Sequence, residues 1–351
     1  MNYGLQRPLL ILEALTLILF VALLSPQHCA AESPLVAAQQ AKYQLLRKVW
    51  EADYAPKGLD GPSGAQPGAV SARNSGTGRV AMMLSNVDFE YTAGIGFWVK
   101  ELVLTLEPKK AGAPIDLDHV EAFTIHIQRG EIVARSAGLS ALFNKYLLAG
   151  SRKPLRDVRI TVRDGEIAVD ANVALLWLLG IWLPASFSGS MTLTADNKLE
   201  IDIHKVSAFG FSLNDLMKAL GLSATALVKL DRPGIELHGS SIVLDHRAVF
   251  PLPHLDGNIG AAKLRADGLH LSFENCGDVI FLAKPSLGSS YIWIESGDPK
   301  FFGSVVTNAR IAIFRKSEGA NLYFNLYNYR KQFAAGEARI AADGLLTIQL
   351  P

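Results

Sequence analysis

The feature that most constrains this chain is a period of two. From Arg79 onward, short runs alternate apolar and polar residues. Val87, Phe89 and Tyr91 alternate with Asp88 and Glu90, and Phe123, Ile125 and Ile127 with Thr124 and His126. Val158, Ile160 and Val162 alternate with Arg159, Thr161 and Arg163. Leu199 to Ile203, Leu269 to Phe273 and Leu346 to Leu350 repeat the pattern. Successive strand side chains point to opposite faces, so each run predicts a strand with one buried and one wet face. Arg129-Gly130, Asp164-Gly165 and Asp196-Asn197 each separate two such runs and predict tight turns between antiparallel neighbours. Tyr291 to Ile294 and Leu322 to Tyr327 predict two aromatic strands, packed in a core or presented for recognition.

Two short stretches change the period to that of a helix. One runs from Leu139 to Leu148, with Leu142, Phe143, Tyr146 and Leu147 on one side. The other runs from Ser212 to Leu220, with Leu213, Leu216, Met217 and Leu220. Each has a single apolar side, so Leu142, Phe143, Leu147, Leu213, Leu216, Met217 and Leu220 are expected to face a common apolar space. The fold class is then α+β, mostly antiparallel β.

The N-terminal third reads differently. Residues 1–31 resemble a secretory signal: Arg7, the run Ala14 to Leu24 with only Thr16 polar, Pro26, then Cys29-Ala30-Ala31. Cleavage predicts a mature start near Glu32 in a periplasmic or secreted protein. Retention would make the segment an inner-membrane anchor. Residues 32–54 predict an amphipathic helix, with Leu35, Ala38, Leu45, Leu46, Val49 and Trp50 on one side. Half of residues 55–78 are Gly, Pro or Ser. That linker would span roughly 27 Å as a flexible coil. Residues 79–274 form the predicted main domain, and 275–351 a β-rich extension of it. Export would leave Cys276 alone, since Cys29 is the only other cysteine, and core burial rather than a disulfide must then hold the fold.

The charges exclude some functions. With 34 basic and 33 acidic residues the net charge is +1, too little for the usual nucleic-acid binder. No HExxH, CxxC, Gly-x-Ser-x-Gly or Ser-x-x-Lys pattern occurs, so the chain offers no motif for a metal, a cofactor or a catalytic group. His126, His204 and His270 fall at polar strand positions and read as solvated. Asp116 and Asp118 read as solvated turn acids.

One segment breaks the alternation. Val173 to Leu183 has no polar side chain, and Pro184 stops it. It is too short to span a bilayer. Three readings are open: a buried core segment, a lip that places Leu175, Leu176, Trp177, Leu178, Leu179, Ile181, Trp182 and Leu183 against a membrane, and a part of a true membrane span.

The order from Ile125 to Glu274 resembles a known family. It runs strand, Gly138-Leu139-Ser140 helix, Leu155-Arg156-Asp157-Val158-Arg159-Ile160, then the Asp164-Gly165 hairpin. Ile201-Asp202-Ile203, Gly210-Phe211-Ser212, Pro233-Gly234-Ile235-Glu236-Leu237 and Ala266-Asp267-Gly268-Leu269 follow. This is similar to the bacterial lipomannan elongation factor A family of exported proteins and, through it, to tubular lipid-binding (TULIP-like) proteins. The resemblance implies a curved antiparallel sheet wrapped on a few helices, holding a lipid or other acyl-chain ligand in an apolar groove. It implies no cofactor and no catalytic residue. The expected function is therefore a non-enzymatic lipid binder or carrier of the cell envelope. The alternatives are an envelope interaction module with a filled core, and an envelope hydrolase built from scattered residues.

Overall fold

The computed structural model describes residues 78–149, 155–176, 181–208, 211–212, 234–238, 241–274, 286–315 and 320–351. The signal-like segment, the first helix and the linker up to residue 77 lie outside the described residues, as do Leu213, Leu216, Met217 and Leu220. Gly78, the last residue of the expected linker, is already buried in the fold.

In chain order the strands are β1 (Val80–Thr92), β2 (Ile95–Pro108), β3 (Ile115–Asp116), β4 (Phe123–Ala134), β5 (Leu155–Arg163), β6 (Glu166–Leu176) and β7 (Ile181–Leu193). Then come β8 (Leu199–Ala208), β9 (Phe211–Ser212), β10 (Ile235–His238), β11 (Ser241–Leu244), β12 (His254–Gly257), β13 (Ile259–Arg265) and β14 (Gly268–Phe273). The last are β15 (Tyr291–Glu295), β16 (Pro299–Phe301), β17 (Ser304–Val305), β18 (Arg310–Arg315), β19 (Leu322–Asn325), β20 (Glu337–Ile340) and β21 (Leu346–Leu350). Helices are few: α1 (Ser136–Ala141), continued by a π-helical turn (Leu142–Leu147), α2 (His246–Val249) and α3 (Tyr329–Ala335). No helix among the described residues is long and apolar enough to cross a membrane.

Eleven strands make one mostly antiparallel sheet that curls into a half-barrel. Its path is β13-β14-β4-β2-β1-β15-β18-β21-β20. Two backbone irregularities produce the curl. Asn86 takes φ +50°, and there the outer edge of β1 changes partner. Residues 81–85 pair with β15 and residues 87–90 with β19. Gly130 takes φ +137°, and there β4 passes from β12 (residues 124–127) to β14 (130–134). An irregular residue bends its strand and sharpens the twist, which lets one sheet wrap instead of lying flat.

Arg129-Gly130 is thus a correction to the expected turn. β4 runs straight through it. A Cβ on Gly130 would stand 2.2 Å from Glu101 O, so this glycine serves close strand approach rather than reversal. Asp164-Gly165 and Asp196-Asn197 do connect antiparallel neighbours, β5 to β6 and β7 to β8.

A second, seven-stranded sheet runs β10-β11-β8-β7-β6-β5, with β9 on β8. The apolar run Val173 to Leu183 belongs to its central hairpin, as the end of β6 and the start of β7. A third, small sheet joins β17, β16 and β3. The C-terminal strands are integral: β15, β18 and β19 complete the half-barrel beside β1.

Candidate functional site

The concave side of the half-barrel collects the inward residues of β1, β2, β4, β15, β18 and β19. Val80, Met82, Leu84, Leu104, Leu106, Phe123, Ile125, Ile292, Ile294, Ile313 and Phe324 all line one void there. No polar side chain lines it. The void measures about 50 Å³. Met82, Phe89 and Leu117 border it and are only half-buried, so the wall is thinnest there.

Beyond Phe89 the interior becomes aromatic. Phe89 stacks on Phe97 at 5.3 Å and meets Tyr91 edge-on at 5.2 Å. Phe250 closes the group, 6.0 Å from Phe97. Tyr91 is fully buried, and among the described residues its hydroxyl meets no hydrogen-bond partner. Burial, with Tyr146 beside it, pushes its pKa well above the ordinary phenol range. The Tyr91 hydroxyl is thus a buried polar group beside the aromatic cluster.

α1 and its π-helical turn roof this interior. The helix begins at Ser136, three residues before the expected Leu139, because Gly138 fits against β2. A Cβ there would lie 2.6 Å from Gly96 O. Leu142, Tyr146 and Leu147 are buried under it, while Phe143 is half-buried against the same core. None of the expected Leu142, Phe143 and Leu147 lines the void. They lie in the roof, and the void-lining residues come from strands whose inward positions carry no special mark.

The opposite side of the helix does something the sequence reading missed. β5 is an edge strand, and Val158, Ile160 and Val162 turn their backbone groups away from β6. Val162 N–H donates to Ser136 Oγ at 3.0 Å, and Ile160 N–H to Ser140 Oγ at 2.9 Å. Val158 N–H donates to Asn144 Oδ1 at 2.9 Å, and Asn144 Nδ2 returns a bond to Val158 O at 2.6 Å. Residues spaced by four thus imitate a neighbouring strand. The spacing was visible, but Ser136, Ser140 and Asn144 look like an ordinary wet stripe. An open groove of about 710 Å³ flanks this seam, bordered by Asn144, Leu148, Leu155, Arg156 and Arg159.

At the β6–β7 hairpin, Leu175 and Leu176 end β6 and Ile181 begins β7. Trp177, Leu178 and Leu179 lie outside the described residues. Trp182 and Leu183 are half-buried. Arg156 stacks on the Trp182 ring at 4.3 Å, a cation–π contact to an indole face.

The titratable groups form separate clusters. His270 is buried, not solvated as expected. Its Nδ1 lies 2.9 Å from Glu131 and its Nε2 2.7 Å from Asp267. That hydrogen bond, with Lys100 beside it, holds Glu131 below the usual carboxylate range despite partial burial. His270 holds Asp267 low in the same way. Asp116 and Asp118 are also not free turn acids. Asp118 takes a two-pronged bond from Arg330 at 2.7 and 2.6 Å, and Asp116 takes Lys300 at 2.8 Å. Both acids tie the β3 region to the C-terminal segment. His126 is half-buried, 3.2 Å from Asp256 and 3.5 Å from Glu107.

One trio has the composition of a hydrolytic site. Ser190 Oγ is 2.9 Å from His204 Nε2, and His204 Nδ1 is 3.7 Å from Asp202. It stands on the wet face of β7 and β8. Here β7 pairs with β8 through Ser190↔Asp202, and His204 and Asp202 are about half exposed. No group of three or more His, Cys, Asp or Glu among the described residues is placed to hold a metal ion.

No protein-family model matches the chain, and no curated protein and no solved structure matches it.

Proposed function

We propose that the protein is an exported, non-enzymatic lipid-binding or lipid-carrier protein of the cell envelope, built on a TULIP-like plan. An acyl chain would lie in the half-barrel, along the void and toward the aromatic group. The observation that carries this reading is the lining itself: an inner wall drawn from seven strands with no polar side chain. Holding a hydrocarbon chain needs apolar area and no reactive group. The Tyr91 hydroxyl would then meet the ligand's polar end or a water beside it.

A second reading is favoured by one number. A void of about 50 Å³ is well under the roughly 150 Å³ that admits a benzene molecule. Loading a chain therefore requires side chains to move. Met82, unbranched and half-buried, is the most movable part of the wall. If nothing moves, the same fold is an envelope interaction module with a filled core.

Native mass spectrometry of gently purified protein from the native host, followed by lipid extraction, separates the two. The carrier reading expects a lipid-sized adduct on a chain that starts near Glu32. Repeated recovery without any adduct favours the filled module. Replacing Leu104 with Phe puts a bulkier side chain into the void. It should reduce lipid retention under the first reading and leave a merely slack core neutral or slightly stabilised.

A further inference from the structure

Among the described residues the large sheet ends at β20, and no further strand pairs with that edge. Glu337–Ile340 are all exposed, and Ile340, on the core-side face of the sheet, is 78% exposed. The β20–β21 hairpin closes with Ala341 N–H donating to Leu345 O at 2.9 Å. The register continues Ile340↔Leu346, Arg339↔Thr347, Ala338↔Ile348 and Glu337↔Gln349. Antiparallel neighbours exchange bonds at every second residue. Glu337 and Arg339 therefore spend their backbone groups on β21, while Ala338 and Ile340 point theirs outward.

We propose that this edge pairs with β20 of a second copy of the chain, antiparallel about a two-fold axis at Ala338. In that register reciprocal bonds join the two Ala338 residues. Each Ile340 N–H reaches the partner's Gly336 carbonyl, whose own N–H is already bonded to Phe333 O. On one face Glu337 stands opposite the partner's Arg339, and the symmetry repeats the pair. On the other face Ala338 and Ile340 of both copies form one apolar stripe, and Ile340 lies across from a glycine. A two-fold contact must be complementary to itself. Within one strand Arg339 already donates to Glu337 at 2.9 and 2.6 Å; against an inverted copy of the same strand the acid and base at alternate positions also face residues of opposite charge, which meets that condition. The pairing is short, so association is weak and transient.

Sedimentation equilibrium of the full chain over a wide concentration range tests this. The wild type should shift toward dimer as concentration rises. E337R and R339E, each alone, should weaken association by roughly tenfold, since both cross-strand pairs become repulsive. Mixing E337R with R339E should restore dimer, because every facing pair is then opposite in sign. Ala338→Pro removes an outward N–H that β21 does not use and should abolish dimer. Unchanged melting of the variants shows that they fold. A wild type that stays monomeric up to about millimolar concentration overturns the proposal. So does a dimer indifferent to these changes, or a mixture that fails to associate.

Discussion

β5 and β20 are both edge strands, and the chain treats them in opposite ways. On β5 the outward groups of Val158, Ile160 and Val162 are met by Ser136, Ser140 and Asn144. On β20 the outward groups of Ala338 and Ile340 face solvent between a glutamate and an arginine. An open strand edge is a template for pairing with another chain. A helix closes the first edge from within. The second carries only a glutamate and an arginine that bond each other along the strand. The covered edge also sits beside the apolar interior, where a stray strand would be most damaging.

The largest expected effect breaks the covered edge. Asn144→Leu removes both bonds to Val158 and leaves its partly buried backbone groups unmet. It should cost about 2–6 kcal/mol in urea unfolding, at about 1–3 kcal/mol per unmet group. Ser140→Ala removes one acceptor and should cost about 1–2 kcal/mol. If both variants melt like the wild type, the seam is ornamental and β5 is covered by something else.

Away from the edges, β14 is tied to β4 by His270 with Glu131 and Asp267, and this sets an acid limit. Both carboxylates are held below their ordinary range in the fold. Their contribution is therefore complete above about pH 4.3 and is lost as pH falls through the lower folded values. Unfolding measured across pH 2 to 6, a window set around that range, should show stability declining at its acid end. Glu131→Gln should flatten the decline. A variant as acid-sensitive as the wild type would mean that other carboxylates set the limit.

The smallest effect concerns the bare edge. Ala338→Pro should change unfolding free energy by no more than about 0.5 kcal/mol in dilute solution, since its N–H points away from β21 and meets no partner among the described residues. Amide hydrogen exchange makes the contrast visible in one protein. Val158, Ile160 and Val162 should be strongly protected, and Ala338 and Ile340 nearly unprotected when dilute. Protection at Ala338 that grows with concentration would sharpen the case for self-pairing.

Much of the sheet content was legible because alternation is local. The runs at Val87, Phe123, Val158, Leu199, Leu269 and Leu346 all lie in strands. Gly130 misled because a glycine between two alternating runs looks the same for a turn and for a mid-strand close approach. Only the approach of Glu101 separates them. The acids at Asp116 and Asp118 misled because their partners, Lys300 and Arg330, lie 184 and 212 residues away. Likewise the void is shared by strands distant in sequence. Its lining positions resemble every other inward residue, whereas the roof helix advertises itself by spacing. Ser136, Ser140 and Asn144 carried a readable period but no hint of the strand they cover.

Where an acyl chain lies, if the protein holds one, is the claim to test most directly. A diazirine-bearing fatty acid, added to the protein and activated by light, labels whatever surrounds its chain. The account predicts adducts on Met82, Leu104 and Phe324, competed away by unlabelled fatty acid and lost in Leu104→Phe. Labelling confined to the outer faces of the sheets, or none above that of an unrelated protein, would contradict it.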